Sequence, residues 1–214
     1  MQSNDCAPSC RELPPLRAKA WSQIKPGNRV ILSNSDQFAK ATFPLSNRIR
    51  RALWNCAWCL FGRMSPRPFH RWRSALLRLF GAHIGLGVHV YPGARIWAPW
   101  NLRMDDGSCV GDGTTVYNMA PIRIGRRCVV SQGAHLCGGT HDIDSPNFEL
   151  ITRPIVLHDF VWVCAEAFIG PGVSVAEGCV VGARAVLMRS AMDSWTVWSG
   201  NPAQPRRKRI RNHP

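Results

Sequence analysis

Apolar positions along this chain recur every six residues, a period that suits neither an α-helix nor a flat strand. Fifteen aliphatic residues keep the register: Ile84, Val90, Ile96; Met104, Val110, Val116; Ile124, Val130, Leu136; then Leu157, Val163, Ile169, Val175, Val181 and Leu187. Four residues after each comes a small or β-branched side chain: Val88, Ala94, Ser108, Thr114, Ala120, Cys128, Ala134, Thr140, Val161, Ala167, Val173, Cys179, Ala185 and Ala191. Trp100 is the one large exception. Glycine stands between the two series at positions 87, 93, 107, 113, 133, 139, 172 and 178, where a tight corner can demand positive φ. Hexapeptide periodicity of this kind predicts a parallel β-helix. Three hexapeptides form one coil of three short strands, so about five coils at a spacing of about 4.8 Å give an all-β prism roughly 24 Å tall.

The register is interrupted by steps of eight (Ile96 to Met104, Val116 to Ile124) and by one of 21 (Leu136 to Leu157). A step of eight predicts a two-residue bulge at a corner. The step of 21 predicts a loop extruded from the prism over residues 137–155, and loops held by a rigid repeat scaffold tend to carry function. These boundaries divide the chain into a poorly folding segment 1–42, a helical cap 43–83, the prism 84–203 and a basic tail 204–214. The first segment earns its description from scattered prolines and the lack of lasting periodicity.

Charge changes the picture in one place. The net charge of +14 is concentrated, with no Asp or Glu between Asp36 and Asp105 while Arg48, Arg50, Arg51, Arg63, Arg67, Arg71, Arg73 and Arg78 crowd a short stretch rich in Trp, Leu and Phe. At period 3.6 this stretch predicts two amphipathic helices, about Ser46–Gly62 and Pro68–Phe80, with Ser46 as N-cap. Its longest apolar run, Ala52 to Phe61, is far short of the ~20 residues that cross a bilayer. Such helices suit a cap over the open edge of the first coil and equally a peripheral contact with an anionic membrane. No nucleic-acid-binding module accompanies the basic pI, so no nucleic acid is expected as a partner.

Of the nine cysteines, Cys109, Cys128, Cys137, Cys164 and Cys179 read as small core residues of the repeat; Cys128 and Cys179 occupy the small inward position. Cys56 and Cys59 have redox-motif spacing but lie in an apolar helix, where packing is the expected role. With no signal-peptide pattern at Met1, the cytoplasm is the expected compartment.

His141 sits where the chain leaves the third coil, beside Gly138, Gly139 and an acidic turn. A histidine there can take a proton near neutral pH, or it can be a surface histidine satisfied by Asp142 or Asp144. The terminal cluster Arg206, Arg207, Lys208, Arg209 and Arg211 can meet phosphates, or be solvated.

The segments Val116-Tyr-Asn-Met, Ile124-Gly, Val130-Ser-Gln-Gly, Leu136-Cys-Gly-Gly-Thr-His-Asp, Val161-Trp-Val and Gly200-Asn-Pro-Ala203 resemble the hexapeptide-repeat O-acetyltransferases, most closely the colanic acid biosynthesis acetyltransferase family. The resemblance runs from about Phe43 to Arg209. It implies a left-handed prism, against the usual right-handed crossover, assembled as a homotrimer with acetyl-CoA along the groove between neighbouring prisms and a saccharide as acceptor. In that family His141 matches the catalytic base and Asn118 an asparagine that helps position the acceptor or the histidine. Trp162 matches a donor-site tryptophan, and Ala165, Gly182 and Ala183 match backbone positions along the pantetheine arm. Arg184 stands where glycine is common, and Met188 where threonine is common. No metal is expected.

Two alternatives share the prism. A γ-type carbonic anhydrase needs three zinc histidines, for which His135, His141 and His158 offer themselves with His89 further off; but five residues separate His135 from His141 where that family has four. A scaffold without catalysis is the other.

Overall fold

The computed structural model describes the backbone of Val30–Ile31 and the whole of residues 43–210. The expectation of a poorly folding segment at 1–42 therefore lies outside the described residues, except that Val30–Ile31 form a strand (β1).

All fifteen register residues are buried, and strand pairing stacks them in three columns of five. Ile84, Met104, Ile124, Leu157 and Val175 are mutual neighbours on the first face of the prism, carried by strands β2 (His83–Ile84), β5 (Leu102–Met104), β8 (Ile122–Ile124), β13 (Ile155–Leu157) and β16 (Ser174–Val175). Val90, Val110, Val130, Val163 and Val181 form the second column on β3 (His89–Val90), β6 (Cys109–Val110), β9 (Val129–Val130), β14 (Trp162–Val163) and β17 (Val180–Val181). Ile96, Val116, Leu136, Ile169 and Leu187 form the third, on β4 (Arg95–Ile96), β7 (Thr115–Tyr117), β10 (His135–Cys137), β15 (Phe168–Ile169) and β18 (Val186–Leu187). With every pairing parallel, these make five complete coils. Part of a sixth follows, from a bridge at Ala191 and from β19 (Thr196–Ser199), which lies on β17. Gln204–Lys208, read in the sequence as the start of a tail, is instead a strand (β20) antiparallel to β19.

At the corner between the second and third faces, Gly113 and Gly133 hold φ of +68° and +69°. One and two coils further on, Glu166 and Arg184 occupy the same left-handed conformation at +59° and +56°, a strain of about 1 kcal/mol for each residue carrying a Cβ. Gly93 and Gly139 do not adopt positive φ. Gly139 has already left the prism, and Thr140, expected to point inward, is exposed for the same reason.

The cap consists of α1 (Leu45–Ala57), a π-helical turn (Trp58–Arg63) and α2 (His70–Leu79). Pro44, not Ser46, holds the N-cap position and makes no side-chain cap. Because β2, β3 and β4 are edge strands, their carbonyls need donors from outside the sheet, and the cap supplies them. Trp54 Nε1 donates to Ile96 O at 2.6 Å and Trp58 Nε1 to Ala94 O at 2.9 Å. Arg73 Nε reaches Val90 O at 2.6 Å, Ser74 Oγ reaches Val88 O at 3.4 Å, and Arg78 bonds the carbonyls of Ile84 and Gly85 at 3.0 and 2.8 Å. Arg73 is fully buried and also donates to Ser65 Oγ, Pro66 O and Arg67 O. The capping role read from the sequence is thus built by side-chain donors. Cys56 and Cys59, expected to pack, are exposed, since α1 and the π-helical turn direct Trp54 and Trp58 toward the prism instead.

Candidate active site

Three corners stacked between the third and first faces build the surroundings of His141. In the first coil the step of eight is absorbed by a 3-10 turn, Pro99–Asn101. In the second, Asn118 occupies the equivalent bulge, and in the third the chain leaves the prism altogether. The excursion is an antiparallel hairpin, β11 (Gly139–His141) with β12 (Leu150–Thr152), and β1 adds a third strand to it. Its root stands on the bulge below: Gly138 N donates to Tyr117 O at 2.9 Å, and a Cβ on Gly138 would come within 3.0 Å of that same oxygen.

His141 is partly exposed near the end of β11, across from Leu150. Its ring lies flat on that of Phe148, with centroids 4.3 Å apart and planes 9° from parallel. Nδ1 is 2.9 Å from the carbonyl oxygen of Phe148. A carbonyl can only accept, so Nδ1 carries the proton and the neutral ring presents the Nε2 lone pair. Fixing the tautomer through one nitrogen and leaving the other as acceptor is what a general base requires.

Asn118, matched to an asparagine that helps position the acceptor or the histidine, turns its amide into the stack of corners. Its side chain is completely buried; Oδ1 accepts from Ala98 N at 2.9 Å and Nδ2 donates to Ala98 O at 2.5 Å. From the first coil, Asn101 Nδ2 reaches the carbonyls of Asn118 and Met119 at 3.1 and 2.9 Å. These two asparagines lock the lower bulges together and so make the floor under the hairpin root.

The residues matched to donor binding gather elsewhere, along the corner between the second and third faces. Trp162 projects from β14, exposed, with Nε1 donating to Ser131 Oγ at 3.0 Å. Three residues on, the corner of the fourth coil holds Ala165, and the corner of the fifth, directly against it, holds Gly182 and Ala183; Arg184 N donates to Ala165 O at 3.0 Å. Gly182 N donates to Trp198 O at 2.7 Å, and a Cβ on Gly182 would meet Ser199 at 3.0 Å, so this glycine allows the sixth coil to close on the fifth. Above them lies Gly200-Asn-Pro-Ala203, with Ala203 N donating to Val186 O at 2.9 Å. A Cβ on Gly200 would lie 3.2 Å from the Arg206 guanidinium, which puts that cation at the same edge. Arg206 and Arg207 are both exposed on β20, while Arg211 lies outside the described residues. Small side chains along a corner, an exposed indole at one end and guanidinium groups at the other fit a long thioester donor with a phosphorylated head. Arg184, where glycine was noted as common, is held by Glu166 through an ion pair of 2.6 Å.

In a single chain the hairpin corner and this donor edge are separated by the whole third face. The other histidines are dispersed as well. His135 lies on that face between Tyr117 and Phe168, with centroids at 6.4 and 5.3 Å. His158 is 3.3 Å from Ser174 Oγ, and His89 stacks on His70 at 4.5 Å. Among the described residues no cluster of three or more His, Cys, Asp or Glu could hold a metal ion. The supporting roles of Phe148 toward His141 and of Ser131 toward Trp162 were not visible in the sequence, because each lies across a turn or a coil from the residue it supports.

No protein-family model matches the chain. It is 39% identical over 164 residues to the colanic acid biosynthesis acetyltransferase WcaF of Escherichia coli strain K12, covering 77% of this chain and 90% of that protein. It is 30% identical over 126 residues to the acetyltransferase C18B11.09c of Schizosaccharomyces pombe, covering 57% of this chain and 54% of that one. Among solved structures, a maltose O-acetyltransferase from Clostridium difficile 630 superposes with a TM-score of 0.71 at 19% identity, over 78% of this chain and 90% of that one. A galactoside acetyltransferase in complex with coenzyme A gives 0.69 at 16%, over 84% and 91%.

Proposed function

This chain belongs to the hexapeptide-repeat O-acetyltransferases, in the branch of the colanic acid biosynthesis enzymes, and from that premise we propose that His141 is its catalytic base and that its acceptor is a saccharide of exopolysaccharide or cell-surface glycan biosynthesis. The protein is an acyltransferase with a left-handed β-helix and acetyl-CoA as co-substrate. That membership displaces the anhydrase and the inert scaffold.

The observation that carries the reading is the Nδ1 bond of His141 to Phe148 O, which leaves Nε2 as the acceptor. His141 takes the proton from a sugar hydroxyl as that oxygen forms a bond to the acetyl carbonyl. The negative charge that grows on the carbonyl oxygen needs a donor, for which a corner backbone N–H is suited. When the carbon–sulfur bond breaks, the proton on Nε2 passes to the departing thiolate, so no covalent enzyme intermediate is needed.

The donor edge, with Trp162, Ala165, Gly182, Ala183, Arg206 and Arg207, lies a full face away from His141 in the same chain. We infer that a neighbouring copy brings its donor edge to this hairpin, in a cytoplasmic homotrimer. Two separately inactive variants, His141→Ala and Trp162→Ala, test this when co-expressed. Random mixing in a ring of shared sites restores about a quarter of wild-type activity. Sites built within one chain would restore none, and that result would overturn the shared-site reading.

A further inference from the structure

The cap has two faces, and only the inner one is used by the prism. Along α1 and the π-helical turn, Trp54 and Trp58 point inward. On the opposite side Leu45, Ile49, Leu53 and Leu60 follow one another at spacings of four, four and seven, and are 67%, 52%, 62% and 63% exposed. Such spacing keeps all four on one stripe of the helix. The second helix continues it: Trp72 and Leu79 are exposed, and Trp72 Nε1 donates to Phe61 O at 2.8 Å, which joins the two segments side by side. An amphipathic helix whose apolar stripe faces away from its own domain requires an occupant for that stripe.

We propose that this outer face docks the protein on an anionic lipid bilayer. The charge around the stripe selects that occupant. Arg48, Arg63 and Arg71 flank it, all exposed, in a stretch of sequence without one Asp or Glu from residue 37 to residue 104. A second copy of this face would bring arginine against arginine, in a chain of net charge +14. An anionic lipid surface answers both features: headgroups take the guanidiniums, and Leu, Phe and Trp enter the boundary between headgroups and chains. No helix among the described residues is long and apolar enough to cross a membrane, so the contact is one of lying on the surface. The arginines that close the prism, Arg73 and Arg78, are not required for it, because their guanidiniums are engaged by first-coil carbonyls.

Co-sedimentation of the full chain with vesicles tests the proposal, using equal parts phosphatidylglycerol and phosphatidylcholine against phosphatidylcholine alone. This readout is independent of acetyl transfer, so it stands or falls apart from the reading of His141. Binding to the anionic vesicles is expected, weakening as salt rises from about 0.1 to 0.5 M. The R48Q/R63Q/R71Q variant should partition on the order of 100-fold less, the loss of about three lipid-attracted charges. Leu53→Asp with Leu60→Asp should abolish binding; both sites are exposed, so an unchanged solution mass and acetyl-CoA binding verify that the fold persists. Equal binding to neutral vesicles, or no binding at all, overturns the proposal. So does a fall in solution mass in the Leu53→Asp, Leu60→Asp variant, which would make a second copy the occupant.

Discussion

His141 and Phe148 face each other across the extruded hairpin, ring on ring at 4.3 Å, with the Phe148 carbonyl 2.9 Å from Nδ1. One phenylalanine thereby sets the plane of the imidazole with its side chain and the tautomer with its backbone. Replacing His141 by Ala should lower acetyl transfer by roughly 10²–10⁴-fold, the span usual for a general base. The thermal midpoint should hardly move, since the ring lies outside the prism core. A loss of less than tenfold at saturating acceptor would rule out the assigned role.

Asn118→Ala should behave in the opposite manner. Removing the amide leaves the buried N–H of Ala98 without a partner and takes one of two donors from its carbonyl, which keeps Asn101 N at 2.9 Å, at a cost of about 2 kcal/mol. Thermal or denaturant unfolding reads this directly. Activity at a temperature well below the midpoint should fall less than in His141→Ala; if catalysis is lost and stability kept, the asparagine touches the substrate after all.

Arg73 is the keystone of the cap, bonded to Val90, Ser65, Pro66 and Arg67. Arg73→Met keeps much of the bulk but removes the buried guanidinium that ties the Val90, Pro66 and Arg67 carbonyls together, and should destabilise the fold by about 3 kcal/mol. A lowering of the midpoint by roughly 6–12 °C is the corresponding signal in a scan. A shift under about 2 °C would show that water replaces the guanidinium without loss.

Acid should weaken the protein in a window set by two histidines. Burial holds His70 below the ordinary histidine range, with Arg73 and His89 adding to the effect and the Val90 carbonyl opposing it. Burial alone does so for His135, whose Nε2 is enclosed without a hydrogen-bond partner. Because both groups bind protons more readily when unfolded, their contribution is intact above about pH 6.5 and is lost as pH falls below it. His135→Phe, which continues the ring ladder from Tyr117 to Phe168, should flatten part of the midpoint's decline between pH 7 and 5. An unchanged slope would remove His135 from the account.

The prism was legible in the sequence because its signal is repeated: an inward aliphatic every six residues leaves no other way to stack Ile84 on Met104 on Ile124. Where the repeat breaks, legibility weakened. The step of 21 announced a loop, but not that it is a hairpin with Thr140 outward and Phe148 folded back on His141. Asn118 carried a motif match, yet only the stacked corners reveal that its amide belongs to Ala98. The arginines and tryptophans of the cap left two readings open, since composition cannot say which side of a helix meets an edge strand. Geometry separates the two sides: Trp54, Trp58, Arg73 and Arg78 turn to the prism, while Leu45, Leu53 and Trp72 turn away. The strand Gln204–Lys208 was hidden in a run of basic residues with no apolar alternation, because its pairing with β19 rests on backbone bonds and one Lys208–Thr196 side-chain contact rather than on a buried apolar face.

The cap also bears on how far such a ladder can grow. A stack of identical rungs has no intrinsic length; the first coil presents backbone carbonyls to anything able to add one more rung, including the last coil of another molecule. By covering those carbonyls with indole, hydroxyl and guanidinium groups, which cannot propagate a strand, the helices terminate the series chemically. The same hexapeptide code without them would describe a growing fibre end, and the two tryptophans at Ala94 and Ile96 are part of what keeps this chain a discrete molecule.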